Sequence, residues 1–392
     1  MNTTRRTFLH GMAGSAVATP LLAQNKHRSY DKPNVVIVRF GGGCRRMESI
    51  DPQKTYAPYL RKTLAPRGVL FENMLIDSLK PHQKVDTSHG QGTIYILTGS
   101  YNKLGNAGGK GLDLRFVPNA PTVFEYLRKE YDIADHETLV INSEDRKQEE
   151  FLTYSNHLKY GINYRCQILS LYRFKRFLYP QLLDSKKRDG KPLPPQQLRK
   201  IRNEYNKLVA IDQRQPLPAN PKLEGFWSRW RDHYGESGFK NPRGDRLLTE
   251  LAVRAMCDPQ LRPRLMMVNY TDCDYVHWGI RSHYYNAISI MDQGLRRLVS
   301  TADTAEGYRD NTIFVIVPDC GRDNNPLADV PFQHHFNSRS SHEIFCLIFG
   351  KGVPTKTRIA TPVDQSQIAA TIGGHMGFTA NQASAPLQQA FA

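Results

Sequence analysis

The segment that most constrains the fold is residues 311–323, which read N-T-I-F-V-I-V-P-D-C-G-R-D. Residues 313–317 are β-branched or aromatic without polar alternation, which is typical of a strand buried on both faces of a parallel sheet. The run ends in Pro-Asp-Cys and places Asp319 beyond the carboxyl end of the strand, where open α/β sheets bind their ligands. The segment therefore predicts a buried strand followed either by a functional carboxylate or by an ordinary Pro-Asp turn.

Similar apolar runs recur along the chain and alternate with helical patterns. Residues 34–40 and 264–270 are further candidate strands, and residues 284–299 carry apolar side chains at helical spacing. Strands separated by helices predict a doubly wound, mostly parallel α/β sheet with helices on both faces, spanning residues 32–392. Residues 159–240 are rich in Lys, Arg, Tyr and Pro, which indicates a basic helical insertion or cap.

The first 24 residues have the pattern of an export signal. Arg5 and Arg6 precede an apolar run at residues 11–22, an arrangement that resembles a twin-arginine signal. This run is shorter than the roughly 20 residues that span a bilayer, and no later segment qualifies. We therefore expect residues 1–24 to be removed after export by the twin-arginine machinery. The mature protein would be periplasmic or secreted, without a transmembrane segment.

The charge balance favours anionic partners. The chain has 53 Lys and Arg against 37 Asp and Glu, a formal net charge of +16. Such an excess attracts anionic polymers, phosphate esters or sulfate esters alike. Zinc fingers, RNP-like motifs and basic zippers are absent from the sequence, so nucleic acid is not an expected partner. The six scattered cysteines form no C-x-x-C pair and predict no disulfide framework.

Two loops carry residue types that suit a divalent metal. Residues 269–279 read N-Y-T-D-C-D-Y-V-H-W-G and follow a candidate strand, so Asp274 and His277 can reach one ion. His334 and His335 follow in a polar loop between two strands. Carboxylate oxygens with imidazole nitrogens favour zinc, with calcium, magnesium or manganese as alternatives. A solvated surface loop is the other interpretation of both segments.

A third candidate segment, residues 86–93, reads D-T-S-H-G-Q-G-T and leads into a helix. Small residues at a helix N-terminus present backbone N–H groups that favour an anion. Thr87 or Ser88 is the candidate nucleophile, and His89 is a candidate ligand or general base. The alternative is a capping turn in which a hydroxyl only closes the helix.

In order, these motifs resemble the alkaline phosphatase superfamily, which includes sulfatases, phosphodiesterases and cofactor-independent phosphoglycerate mutases. The resemblance rests on the glycine turn after strand one, Leu-Thr-Gly at 97–99, Asp-x-x-His-x-Gly at 274–279, Pro-Asp at 318–319 and a closing helix at 364–373. It covers most of the chain outside the signal and the basic segment. The chain is most similar to exported sulfatase-like proteins with a Gly-Gly turn after strand one.

The resemblance implies an alkaline-phosphatase-like fold, two adjacent divalent ions and hydrolysis of phosphate or sulfate esters. It assigns Asp274, His277 and His335, or His334 in its place, to one metal site. It assigns Asp319 to the other site. The substrate would be a small or polymeric anionic ester.

The site departs from the family pattern at three positions. Gly41 stands where the Asp after strand one is expected, Cys320 where a metal-binding His is expected, and His89 at the usual nucleophile position. Cys320 can still serve as a thiolate ligand, and Arg322 or Arg45 would hold an oxyanion. The leading hypothesis is an exported metal-dependent hydrolase. The alternative is a catalytically inactive protein of the same fold that binds anionic polymers or glycans.

Overall fold

The computed structural model describes residues 28–77, 85–101, 104–106, 116–142, 146–184, 193–210, 219–235, 244–277, 280–324, 333–334 and 338–392. The expected export signal at 1–24 and the candidate ligand His335 lie outside these ranges. Within them, no helix is both long enough and apolar enough to cross a membrane.

The described strands form one large sheet and a separate hairpin. They are β1 (Asn34–Arg39), β2 (Gly68–Leu75), β3 (Leu104–Asn106), β4 (Phe116–Pro118), β5 (Thr138–Asn142), β6 (Gln167–Leu169), β7 (Leu265–Asn269), β8 (Thr312–Val317), β9 (Glu343–Gly350), β10 (Thr357–Ile359) and β11 (Val363–Asp364). The large sheet has the order β10-β2-β9-β8-β1-β7-β5-β6, with β11 also beside β2, and β3 pairs with β4. In the large sheet β9 is antiparallel to both neighbours and the other pairs are parallel, which confirms the predicted sheet.

Helices cover both faces of the large sheet. They are α1 (Arg46–Ser49), α2 (His89–Thr98), α3 (Val123–Tyr131), α4 (Arg146–Glu149), α5 (Leu171–Leu183), α6 (Pro195–Val209), α7 (Pro221–Tyr234), α8 (Asp245–Cys257), α9 (Arg281–Thr304) and α10 (Ile368–Met376). Val36 and Val38 of β1 belong to an apolar layer with α7, α8 and α9. Val35 and Ile37 belong to the opposite layer with α2, α3 and α10. Burial on both faces explains why the central strands are apolar without alternation.

The basic segment 159–240 contributes α5, α6 and α7 to one side of the molecule. The ring centroid of Phe174 on α5 lies 5.5 Å from that of Trp227 and 6.4 Å from that of Trp230, both on α7. These rings join the layer that also contains α8 and α9. The interpretation of this segment as an inserted cap stays a prediction.

Candidate metal centre

The candidate site lies beyond the carboxyl ends of β1, β7 and β8. Arg39, the last residue of β1, pairs with Asn269 of β7 and with Val317 of β8. The three strands therefore end at the same level, and the loops that follow them meet over one crevice. Those loops carry Asp274 after β7 and Asp319 after β8.

Helix α2 brings its first residue, His89, into the same crevice. Ser88 caps the helix: its Oγ accepts a hydrogen bond from the backbone N of Gln91 at 3.4 Å and donates one to Gln91 Oε1 at 2.7 Å. A Cβ added at Gly92 would lie 2.4 Å from the carbonyl oxygen of Asp319. The missing side chain therefore allows α2 to pack directly against the loop after β8.

Four side chains direct ligand atoms to one point. One such atom from each of His89, Asp274, His277 and His334 lies within 4.8 Å of the other three. His277 Nε2 is 2.6 Å from Asp274 Oδ1, a carboxylate oxygen that His89 Nε2 also contacts. His334 Nε2 is 3.1 Å from His89 Nε2 and 3.6 Å from Asp274 Oδ1. His334 therefore stands in the cluster, where the sequence had given it as the alternative to His335.

The outer ring nitrogens of two histidines are held by the protein. His89 Nδ1 lies 2.5 Å from Asp319 Oδ2, and His334 Nδ1 lies 2.9 Å from the backbone carbonyl oxygen of Thr87. Contacts of this kind fix the tautomer and ring orientation of metal-binding histidines and leave the other nitrogen for the ion. In both rings the nitrogen left for the ion is Nε2, which faces the cluster.

Asp319 is surrounded by donors on both carboxylate oxygens. Its Oδ1 accepts hydrogen bonds from the backbone N of Gly43 at 3.1 Å and of Cys320 at 2.9 Å. Its Oδ2 faces His89 and lies 3.5 Å from Nη1 of Arg39. Asp319 is fully buried, so these donors replace the water that a carboxylate would otherwise bind.

Arg39 is a buried cation that sequence reasoning missed. Its guanidinium donates to Thr93 Oγ1 at 2.6 Å and to the carbonyl oxygen of Tyr270 at 2.8 Å. A Cβ at Gly41 would lie 2.6 Å from Arg39 Nε, so the glycine leaves room for this side chain. The sequence does show an arginine at the end of an otherwise apolar strand. Because charged residues are rarely buried without partners, this position could have indicated a buried ion pair.

Charge coupling within the cluster shifts three pKa values. Burial opposes ionisation of Asp274, yet the nearby imidazoles hold its pKa far below the usual range. Burial likewise opposes ionisation of Asp319, and His89 together with Arg39 lowers its pKa. Burial would depress the pKa of His89, but Asp274 and Asp319 raise it to about 10. When no metal ion is bound, His89 is therefore protonated on both ring nitrogens and lies as an imidazolium between two carboxylates.

The donor set fits a divalent ion. Three imidazole nitrogens and one carboxylate oxygen form a set that zinc binds tetrahedrally. Bonds of about 2.0–2.1 Å place neighbouring ligands of a tetrahedral zinc about 3.3 Å apart. Separations of 2.6 Å between His277 Nε2 and Asp274 Oδ1, 3.1 Å between His334 and His89 Nε2, and 3.6 Å between His334 Nε2 and Asp274 Oδ1 bracket that value.

The two candidate hydroxyls differ in their surroundings. Thr87 is 3% exposed, and its Oγ1 donates to the carbonyl oxygen of His334 at 2.6 Å. Ser88 is only partly buried and stands directly before His89 at the amino end of α2. The nucleophilic role of either residue stays a prediction.

The two candidate arginines and Cys320 do not belong to the four-residue cluster. Arg322 is fully buried, and its Nε donates to the carbonyl oxygen of Gly43 at 2.6 Å. Arg45 pairs with Glu48, and its Nε lies 2.9 Å from Glu48 Oε2. Burial raises the pKa of the Cys320 thiol well above its usual value, and nearby Asp319 adds to the effect, which disfavours a thiolate. An oxyanion-binding role for the arginines stays a prediction.

Known proteins share features with this chain. Residues 224–378 match the Sulfatase family model. BT1596, described as a 2-O GAG sulfatase, aligns at 12% identity over 91% of this chain and 74% of its own, with a TM-score of 0.52. Wild type alkaline phosphatase PafA aligns at 12% identity over 93% of this chain and 100% of its own, also at 0.52. Ps i-CgsB, solved in complex with k-i-k-neocarrahexaose, aligns at 14% identity over 91% and 75%, at 0.51. No curated protein matches.

Proposed function

We propose that this chain is a metal-dependent hydrolase of the alkaline phosphatase superfamily that acts on phosphate or sulfate esters. The match of residues 224–378 to the Sulfatase family model supports this proposal. Members of this superfamily use divalent metals. The observation that carries the proposal is the convergence of ligand atoms from His89, Asp274, His277 and His334 within 4.8 Å, at the edge of the sheet where such folds bind ligands.

The four clustered side chains would hold one divalent ion, for which zinc is the first candidate and calcium, magnesium and manganese are alternatives. When bound, the ion supplies Lewis acidity that stabilises negative charge on the ester and favours ionisation of a nearby hydroxyl. Catalytic zinc sites use three protein ligands and leave the fourth position to water or substrate, so hydrolysis would require one of these four side chains to leave the ion.

Ser88 is the hydroxyl that we assign to attack the ester or to orient an attacking water. It is partly exposed, unlike Thr87, and Gln91 Oε1 orients it through a hydrogen bond of 2.7 Å. The amino end of α2, where Ser88 lies, favours negative charge on the group under attack. Asp319 keeps His89, the residue that follows Ser88, oriented toward the cluster through the 2.5 Å contact with Nδ1.

The substrate class follows from charge and from the relatives. A formal net charge of +16 favours an anionic ester, small or polymeric. The description of BT1596 as a 2-O GAG sulfatase and the carbohydrate bound to Ps i-CgsB support an ester on a glycan. Residues 1–24 would direct the protein to the periplasm or the exterior through the twin-arginine machinery.

The test combines metal analysis with hydrolysis. Purified protein loaded with Zn²⁺ or Mn²⁺ is assayed on aryl phosphates and aryl sulfates, alongside Asp274→Ala and His277→Ala. We expect both variants to lose bound metal and to hydrolyse the preferred ester at least about 100-fold more slowly. His233→Ala is the matched control, because His233 is exposed on α7 and its loss should change neither quantity.

Two outcomes would contradict the proposal. Protein without bound metal, whose hydrolysis is unchanged in Asp274→Ala, would exclude a metal-dependent reaction at this cluster. Stoichiometric metal without hydrolysis of either ester class would favour the alternative, an inactive protein that binds anionic polymers or glycans.

A further inference from the structure

The environment of Asp319 bears on how many ions the site holds. A second ion beside Asp319 would need an accessible carboxylate oxygen and at least two further ligands. His89, Asp319 and Cys320 are the residues within reach of one another there. Asp319 Oδ1 already accepts two backbone hydrogen bonds, and its Oδ2 already faces His89 and Arg39.

We propose that Arg39 takes the place of a second divalent ion, so that this chain binds a single ion. The inference rests on the proposed function, since it concerns the same cluster. In this arrangement Asp319 is a positioning residue that orients His89 and does not itself bind metal. Its negative charge is balanced by the guanidinium of Arg39, whose Nη1 lies 3.5 Å from Asp319 Oδ2.

Arg39 is held in this position and always carries its charge. It is fully buried, with Nη1 2.6 Å from Thr93 Oγ1 and Nη2 2.8 Å from the carbonyl oxygen of Tyr270. A guanidinium does not lose its proton in proteins, so it repels a second cation at any ordinary pH. The contacts also leave it without the freedom to withdraw from Asp319.

Gly41 is part of the same arrangement. A Cβ there would lie 2.6 Å from Arg39 Nε and 2.6 Å from the carbonyl oxygen of Tyr270. A side chain at position 41 and the observed position of Arg39 therefore exclude each other.

The other residues near Asp319 do not complete a second site. His89 directs Nε2 to the four-residue cluster and leaves only Nδ1, which Asp319 occupies at 2.5 Å. Cys320 is fully buried and belongs to the apolar layer that includes Val317 and Ile344. A second ion would have to displace Arg39 and draw Cys320 out of that layer.

Counting ions tests this inference without reference to activity. Native mass spectrometry of the full chain titrated with Zn²⁺ is expected to show one ion per chain. Asp319→Asn should also bind one ion, with an affinity about 10- to 100-fold weaker, the usual effect of losing a carboxylate that orients a ligating histidine. Two ions in the wild type, falling to one in Asp319→Asn, would overturn the inference and leave the proposed function standing. Zero ions would overturn both.

The variant Arg39→Glu tests the part played by Arg39. It replaces the guanidinium with a carboxylate near Asp319 and adds no side chain at Gly41, so the count should rise to two Zn²⁺ per chain. Arg39→Lys is the control, since it retains a buried cation and should keep the count at one. A folded Arg39→Glu variant that binds one ion would refute the role of Arg39. If circular dichroism shows this variant unfolded, the wild-type and Asp319→Asn counts decide the matter.

Discussion

At the scale of single residues, His89 is the most constrained side chain of the site. Its two ring nitrogens face different carboxylates, Nδ1 toward Asp319 and Nε2 toward Asp274. Either a proton or a metal ion on Nε2 can balance the charge of Asp274. The ring is therefore a point at which protons and metal compete.

This competition predicts a pH dependence for the metal-free protein. The folded-state pKa of His89 is raised from 6.5 to about 10 by Asp274 and Asp319, against the opposing effect of burial. The stabilisation from the imidazolium is complete below about pH 6.5, the ordinary pKa of a histidine side chain. It is lost as the pH rises toward about 10. We expect the Tm in the presence of a chelator to fall across this window.

His89→Gln separates this effect from other titrating groups. The variant should be less stable than the wild type near pH 6, and its chelator-treated Tm should change less between pH 6.5 and 10. Differential scanning calorimetry at several pH values measures both curves. Parallel curves for the two proteins would show that His89 does not carry the charge assigned to it.

Some of these residues could be identified from the sequence and others could not. Asp274 and Asp319 each follow an apolar strand, so the rule that parallel strands end at one edge predicts their proximity. No such rule predicts the contacts of Arg39, because its partners Thr93 and Tyr270 are distant from it in sequence. Their contact depends on the register of β1 against its neighbours and on the approach of α2.

At the scale of elements, the site depends on the close approach of α2 to the loop after β8. Gly92→Ala would place a Cβ 2.4 Å from the carbonyl oxygen of Asp319, and backbone there cannot move easily. We expect a loss of about 1–3 kcal/mol in the free energy of unfolding, measured with urea. Zinc affinity should also weaken, because the helix that carries His89 shifts away from Asp319.

Gly90→Ala is the matched control in the same turn of α2. The added Cβ would lie 3.2 Å from Cδ2 of Phe116, a side-chain atom that can yield. Alanine is favoured over glycine in helices by about 1 kcal/mol, which offsets that contact. Equal effects of the two substitutions would mean that the packing of α2 on Asp319 is not what limits the position of His89.

The main elements were predictable because they are long and strongly patterned. All six residues of β8 are buried, and the unbroken apolar run at residues 313–317 predicts this burial. In contrast, β10 has three residues and β11 has two, too few for a periodic signal. These short strands exist because β2 offers an edge for pairing, which depends on tertiary structure.

At the scale of the whole molecule, the net charge of +16 should affect polymeric substrates more than small ones. Raising the salt from about 0.05 M to about 0.5 M shortens the screening length and weakens long-range attraction. We expect kcat/KM on a sulfated or phosphorylated polysaccharide to fall by about 10-fold or more. The kcat/KM for a small aryl ester should change by less than about twofold, because the protein attracts a molecule with a single charged group only weakly.

Substitutions on helix α6 test whether the basic segment is the surface that attracts the polymer. Arg199, Lys200 and Arg202 are exposed on it. Replacing all three with Gln should reduce the salt dependence for the polymer and leave hydrolysis of the small ester unchanged. An unaltered salt dependence would mean that the basic segment does not attract the substrate and that other cationic surfaces do.

The four residues of the cluster are far apart along the chain, and this separation determines when they meet during folding. His89 and His334 are 245 positions apart, yet their Nε2 atoms lie 3.1 Å apart. Contacts of such long range form late, because closing large loops costs chain entropy before the contacts compensate. The ion therefore cannot guide early folding and binds a chain that is already nearly complete. Binding of the ion therefore stabilises the completed fold and slows the unfolding of the protein.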